Sequence, residues 1–440
     1  MNFFRVWASA LVLIGIGVSA QVATALDAQR PLHHSRATEQ HLTEPHRTAH
    51  HAAGTAASRS TTTRAGAAHA SASHRAPATS GHHASARASG GATARRVSYT
   101  GRRSRHHYYE RFTASSFAKG DIFAGDITAG EDPVVRQAVI DAMGDMNGTA
   151  VVIDPSNGRI LAMVNQKLAL SPGAEPCSTI KITVAMAALS EGIVNADTPV
   201  KLAGFRMNMT QALAKSNNLY FEELGRELGF ERVRHYANQF GLGELAGYNI
   251  AGEQLGVYPD QELPASQGGV GRMCSFGQGV SLTPLQLGAY VAALANGGTL
   301  YYLQHPTTPE EAAALQPKVK RTLDIAKFVP DIEDGMAGAV EYGTARRLRA
   351  NFHELPVFGK TGTCSDSGTR YGWFAAWSDS PHGSLVTVFF LEGGRPTFGP
   401  RAAELTGEFY QNLWDSNWFA SKGLQDAAAI PRTLPQQDLP

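Results

Sequence analysis

Three short polar motifs stand in a fixed order along the chain: Ser178-Thr179-Ile180-Lys181, Ser216-Asn217-Asn218 and Lys360-Thr361-Gly362-Thr363. They pair a serine with a lysine, a hydroxyl with an amide, and a second lysine with two hydroxyls. If they act together, the fold must bring segments between positions 178 and 363 into one cleft, a demand few architectures meet. Each motif alone carries little information. At average Ser and Lys usage, S-x-x-K arises by chance about once or twice in a chain of this size. Ser116-Phe117-Ala118-Lys119 is such a copy, followed at once by Gly120 and by no apolar helical run. K-[ST]-G is expected well under once, which makes the third motif the most specific.

Read singly, each motif has a bland meaning: a capping serine beside a surface lysine, an N-cap, a strand-to-loop transition. Read together, they carry chemistry. Ser178 and Lys181 open the apolar run 180–187, so helical spacing puts both on one face with Cβ atoms about 5–6 Å apart. Free amides and the dipole at a helix N-terminus favour negative charge developing on the serine. The lysine must be neutral to take a proton, and apolar neighbours plus a second cation lower its pKa in that direction. Ser216 and Asn218 begin the next helix, where the hydroxyl can relay a proton to a leaving amine and the amide can hold a substrate backbone. Ser216 can also be the N-cap of that helix.

In the third motif, read as the end of a strand over 356–362, Lys360 supplies field for an anionic terminus, and Thr361 and Thr363 supply hydroxyls for its carboxylate. Gly362 leaves room for a ligand backbone to approach. The amides of Ser178 and Thr363 are candidates for an oxyanion hole, where losing one donor typically costs roughly 2.7–4 kcal/mol. The ordered set is the equipment of an enzyme that acylates its own serine from an amide.

The surrounding pattern predicts an α+β domain. Asp132-Pro133 is an N-cap followed by Pro at the first helical position, and Val135, Ala138, Val139, Ala142 and Met143 form an apolar stripe that Gly144 ends. Two β-branched-rich runs, 149–154 and 159–164, are joined by Pro155-Ser156-Asn157-Gly158, a hairpin signal. Helices are expected over 178–191, 217–228, 231–240 and 283–296. Strands return at 356–362, 371–377 and 384–391, and a helix over 400–414 closes the domain. Strands at both ends with helices between them argue a sheet assembled from distant sequence.

Not all of the 440 residues can join that core. Residues 1–26 read as an export signal, either cleaved at Val18-Ser19-Ala20 or Ala23-Thr24-Ala25 or retained as an anchor over 6–26. Both readings send the remainder out of the cytoplasm, to a periplasm or the outer face of the inner membrane. Residues 27–118 are rich in Ala, Ser, Thr, Arg and His, with 13 arginines against four acids for a formal charge of +9. The chain beyond carries −9. Such a segment cannot bury enough apolar surface to offset its ordering entropy and is expected to be a disordered tether. It holds twelve of the 16 histidines, and reads either as a metal-binding tract or as a solvated tether suited to anionic lipid or wall polymer. The folded domain is placed at 119–420, with a Pro-rich tail over 421–440. No cofactor, metal centre or nucleic-acid partner is expected.

Three cysteines are an odd number for an exported chain, so at least one lacks a partner within it. Cys177 precedes Ser178, Cys364 follows Thr363, and Cys274 stands just before Phe276-Gly277-Gln278-Gly279. Small buried thiols are the simpler expectation.

The ordered triple resembles the transpeptidase domain of the penicillin-binding proteins, serine acyltransferases that crosslink peptidoglycan. Further stretches agree: Val151-Val152-Ile153-Asp154-Pro155, Gly158-Arg159-Ile160-Leu161-Ala162-Met163-Val164, Gly252-Glu253, and Gly277-Gln278-Gly279 followed by Leu282-Thr283-Pro284-Leu285-Gln286-Leu287. So do Ala295-Asn296-Gly297-Gly298, Gly343-Thr344-Ala345 and Trp373-Phe374-Ala375. The similarity runs over about 131–415. It implies a central antiparallel sheet with flanking terminal helices and an inserted helical subdomain. It also implies Ser178 as nucleophile, Lys181 as its base and Ser216 as relay, with Asn218, Lys360, Thr361 and Thr363 holding a stem-peptide acyl donor or a β-lactam. Two positions depart from the family pattern: Cys177 stands where Gly is usual, and 38 positions from Ser178 to Ser216 is a short interval. Upstream only the basic segment is seen, so no glycosyltransferase module is expected. The implied activity is D,D-transpeptidation, with D,D-carboxypeptidase, class D-like serine β-lactamase and non-catalytic β-lactam sensor as alternatives.

Overall fold

The computed structural model describes residues 114–394 and 397–422. The expected export segment, the basic segment up to 113 with all its histidines, and the chain beyond 422 lie outside the described residues.

The domain starts earlier than composition suggests. Ala114–Ser116 form a 3-10 turn, Ser116 is buried, and Phe117 bridges to Met146. The boundary placed at 118 therefore falls inside packed structure. Helix α1 (Pro133–Met143) is capped as its sequence dictates: the Asp132 side chain accepts from the amides of Val134 and Val135. Its stripe Val135, Ala138, Val139, Ala142 and Met143 is buried. Strands β1 (Gly148–Asp154) and β2 (Arg159–Val164) form the anticipated hairpin.

After an inserted helical region come β3 (Val357–Asp366), β4 (Thr369–Ser380), β5 (Gly383–Gly393) and a C-terminal helix (Gly399–Asp415). The sheet order is β2-β1-β5-β4-β3, antiparallel throughout, so the third motif sits on an edge strand. Side chains alternate between two cores. Val151, Ile153, Trp373, Ala375, Val386 and Val388 face the inserted helices. Ala150, Val152, Phe374, Ala376, Leu385 and Phe389 face α1 and the C-terminal helix. Burial on both faces is why these strands read as near-continuous apolar runs.

Within the insertion, α2 (Lys181–Ser190) is apolar on all sides and buried from Lys181 to Leu189. A helix of that composition belongs in an interior, and it carries its lysine there with it. Around it pack α3 (Asn218–Leu228), α4 (Phe230–Gln239), α5 (Gly269–Phe276) and α6 (Pro284–Ala295). Thr283 and Gln286 form a full capping box at the start of α6. Helix α7 (Val329–Glu341) was not anticipated. Its Gly335 lowers the helical signal, yet a Cβ there would lie 2.6 Å from Leu213 Cδ1, so close packing requires the glycine. Among the described residues no helix is long and apolar enough to cross a membrane.

Candidate active site

Ser178 lies in a 3-10 turn, Cys177–Ile180, that runs straight into α2. The turn starts from a left-handed residue, Cys177 at φ +52°. An L side chain is disfavoured there by about 1–2 kcal/mol, which accounts for the glycine usual at this position. One turn on, the Lys181 Nζ lies 2.6 Å from Ser178 Oγ and 2.9 Å from Asn218 Oδ1, and donates as well to the Ser275 carbonyl. Lys181 is fully buried, with the rings of Phe221 and Phe276 each 5.8 Å from its nitrogen. Burial first, then the charge of Lys360, holds its pKa well below the ordinary 10.5, against an opposing pull from Glu222. Two of the three groups around Nζ are carbonyl oxygens, which only accept. A neutral amine satisfies both by donating and keeps its lone pair for the Ser178 hydroxyl.

The second motif departs from its simplest reading. Ser216 is not the N-cap of α3; Asn217 is, accepting from the Tyr220 amide at 2.9 Å. Ser216 instead adopts φ +52°, and its hydroxyl accepts from Lys360 Nζ at 2.9 Å. Lys360 is fully buried, donates also to the Thr361 carbonyl, and is pushed by burial down to about 7.

The third motif lies in the middle of a ten-residue strand, not at a strand end, because β3 continues to Asp366 and pairs along its whole length with β4. Thr361 Oγ1 is 2.6 Å from Thr344 Oγ1, and the exposed Thr363 accepts from the Gly399 amide at 2.9 Å. Gly362 serves packing more than ligand approach. A Cβ there would lie 2.8 Å from the Pro176 carbonyl and 3.1 Å from Thr179 Cγ2, so glycine lets the nucleophile turn close on the strand.

A disulfide joins Cys177 to Cys364, with Cα atoms 5.5 Å apart, replacing the expectation of three thiols. Cys274 stays a buried thiol whose pKa burial raises, and it packs where a Cβ on Gly225 would come within 2.7 Å of its sulfur. The three motifs are thus tied pairwise: Lys181 to Asn218, Ser216 to Lys360, Cys177 to Cys364. Reading motifs alone missed Thr344, the Ser275 carbonyl and the two phenylalanines. Thr344 and Phe276 did leave a signal: Thr344 lies within Gly343-Thr344-Ala345 and Phe276 borders Gly277-Gln278-Gly279, both stretches that follow the family pattern.

Residues 148–407 match the family model for the penicillin-binding protein transpeptidase domain. Stage V sporulation protein D of Bacillus subtilis is 30% identical over 258 residues, covering 49% of this chain and 39% of that protein. The peptidoglycan D,D-transpeptidase MrdA of Acinetobacter baumannii is 26% identical over 377 residues, covering 66% and 55%. The chain therefore spans about half, or less, of the length of these relatives. Crystalline PBP2 of Pseudomonas aeruginosa shares the fold at a TM-score of 0.56 and 21% identity, over 66% of this chain and 78% of that one.

Proposed function

The chain belongs to the penicillin-binding protein transpeptidase family, and from that premise we propose that it is a peptidoglycan D,D-transpeptidase working through a Ser178 acyl-enzyme. The observation that carries the reading is the buried Lys181 amine, 2.6 Å from Ser178 Oγ with its other contacts taken by carbonyl oxygens.

In this reading the neutral Lys181 takes the Ser178 proton as Oγ attacks the carbonyl of a D-Ala-D-Ala amide. The amides of Ser178 and Thr363 receive the oxyanion. Lys360, Thr361 and Thr363 hold the terminal carboxylate, the Lys360 charge being strengthened by exclusion of water. Asn218 keeps its NH2 for the peptide backbone while its oxygen accepts from Lys181. Ser216, polarised by Lys360, passes a proton to the departing D-Ala nitrogen. A side-chain amine of a second stem peptide then takes the acyl group and releases Ser178.

A β-lactam would follow the same first step, and its acyl adduct would persist. Exported and tethered by its +9 segment near anionic lipid or wall polymer, the domain would meet both substrates outside the cytoplasm. The test is incubation with a stem-peptide donor, with and without an amine acceptor. Released D-Ala and crosslinked product are expected; release without transfer would make the protein a carboxypeptidase, and no release would end the enzymatic reading.

A further inference from the structure

A cavity of about 610 Å³ lies beside the β1–β2 hairpin, formed by the 248–249 turn and by the connection between two short strands, Thr299–Tyr301 and Val319–Thr322. Strand register separates it from the catalytic cleft. Lys360 pairs with Ala375, Ala375 with Val388 and Val388 with Val151, three strand spacings or about 14 Å across the sheet. From Val151 the hairpin runs on to Asp154, about 10 Å further, before Arg159 opposite it bridges to Gln304 in the cavity wall. The cavity is a separate place, not an annex of the cleft.

Its walls are fixed without a ligand. The Gln304 backbone donates to Gly158 and accepts from Ile160, Tyr248 donates to the Leu303 carbonyl, and Tyr302 donates to that of Lys318. His305 is held by Glu131 at 3.0 Å. A preformed concavity of this size falls within the range of small-ligand sites.

The lining has the chemistry that a neutral polyhydroxylated ligand needs. Tyr248 is 44% exposed, with Lys318 Nζ 4.3 Å from its ring centroid and the Tyr302 ring against it at 6.0 Å, so the ring is fixed but not covered. Such a ring offers a flat platform to the apolar face of a sugar, and a hydroxyl at its edge. The side-chain amides of Asn249 and Gln316 make no hydrogen bond among the described residues, and Gln304 gives one donor to the Gln316 carbonyl and keeps its oxygen. Amides donate and accept, as hydroxyl groups do, and one side-chain amide can answer both the C=O and the N–H of an acetamido group. The charges oppose a ligand of single sign. Lys318 has no carboxylate partner among the described residues, while Glu311 in the same lining accepts from the amide and the hydroxyl of Thr307 at 2.7 and 2.9 Å. An anionic chain would meet Glu311, and a cationic one Lys318.

We propose that this cavity is a second, non-catalytic binding site for a neutral glycan carrying N-acetyl groups, with a sugar ring on Tyr248 and an acetamido group engaged by the amides of Asn249 and Gln316. The site rests on the chemistry of the cavity itself and goes beyond the transpeptidase reading. Under that reading it would hold the domain on a glycan strand while Ser178, across the sheet, works on the peptides that the strand carries.

The test is titration calorimetry of the full chain with the β-1,4-linked hexamer of N-acetylglucosamine, before and after treatment with a penicillin to fill the catalytic cleft. The β-1,4-linked hexamer of glucose and the anionic polysaccharide heparin are the comparison ligands. Wild type should bind the N-acetylated hexamer with one affinity in both states, and about tenfold more tightly than the glucose hexamer. Tyr248→Ala should weaken binding about tenfold, the scale of one well-made aromatic contact, and Tyr248→Phe should stay close to wild type. The Asn249→Ala/Gln316→Ala pair should bring the two hexamers to parity. Urea midpoints and penicillin labelling at wild-type levels would show that these exposed substitutions leave the fold and the cleft intact. No binding of the N-acetylated hexamer, loss of binding after penicillin treatment, or tighter binding of heparin would overturn the site and leave the transpeptidase reading intact. So would unchanged affinity in Tyr248→Ala, or a preference for N-acetyl groups that survives in the amide pair. Failure of the penicillin to label Ser178, with hexamer binding as expected, would count against the transpeptidase reading alone.

Discussion

Replacing Cys177 separates two effects that coincide in the native chain. The Cys177–Cys364 bridge closes 187 residues. Loop-closure entropy would assign such a crosslink about 5 kcal/mol, and native disulfides typically deliver about 2–4. Cys177 also sits at φ +52°, which an L residue holds at a loss of about 1–2 kcal/mol. Cys177→Ala removes the bridge and keeps the strain, whereas Cys177→Gly removes both. Glycine returns roughly 0.5–1 kcal/mol through its freer unfolded chain, so it should be more stable than alanine by about 0.5–1 kcal/mol. The catalytic difference should be larger. An untethered alanine turn relaxes from the left-handed geometry, and a bias of about 1–2 kcal/mol depletes the reactive arrangement about 5- to 30-fold. The assay is the second-order rate of acylation by a fluorescent penicillin, beside denaturant midpoints. The expected order is wild type, then Cys177→Gly, then Cys177→Ala together with Cys364→Ala. Alanine and glycine variants of equal rate, or a Cys364→Ala protein as stable and fast as wild type, would refute the reasoning.

Acylation should depend on pH with two limbs: kcat/KM rises as Lys181 loses its proton below the ordinary 10.5, and falls from about pH 7 as Lys360 loses the charge that holds the substrate carboxylate. Lys181→Met should slow acylation by about 10²–10⁴, the usual span of a general base, and abolish the rising limb. Stability should climb between about pH 7 and 10.5, because the folded pKa of Lys360 lies below its unfolded value and the unfolded chain binds the extra proton over that window. The slope is at most about 1.4 kcal/mol per pH unit for one group; Lys360→Met should reduce it, and urea midpoints across the range are the check. Thr344→Val strands the Thr361 hydroxyl, now 2.6 Å from its partner. Stranding a buried hydroxyl costs the fold about 1–3 kcal/mol, read as a lowered urea midpoint, and freeing Thr361 from its partner should slow acylation as well.

Signals in the sequence are legible where the physics is local. The Asp132 cap, the hairpin around Asn157-Gly158 and the helix expected over 283–296 each depend on neighbouring residues, and each forms. Long-range facts were not legible. The sequence holds all three cysteines near motifs, but spacing cannot choose a pairing, so the Cys177–Cys364 bond appears only once β3 and the nucleophile turn are brought together. Gly362 looked like space for a ligand because nothing in the strand pattern reveals that the Pro176 carbonyl approaches there. Helix α7 was hidden by Gly335, whose small size matters only against Leu213 of a separate segment. Ser216 resembled a cap because hydroxyl residues usually begin helices; its left-handed backbone turns the side chain to Lys360 and leaves capping to Asn217.

Intact-protein mass spectrometry after exposure to a penicillin tests most directly whether Ser178 is the nucleophile that the neighbouring lysine activates. Wild type should gain the mass of one opened β-lactam and hold it for hours, with the adduct on the peptide containing Ser178, while Ser178→Ala gains nothing. A folded wild type that takes up no label, or a Ser178→Ala protein that labels as wild type does, would contradict the assignment.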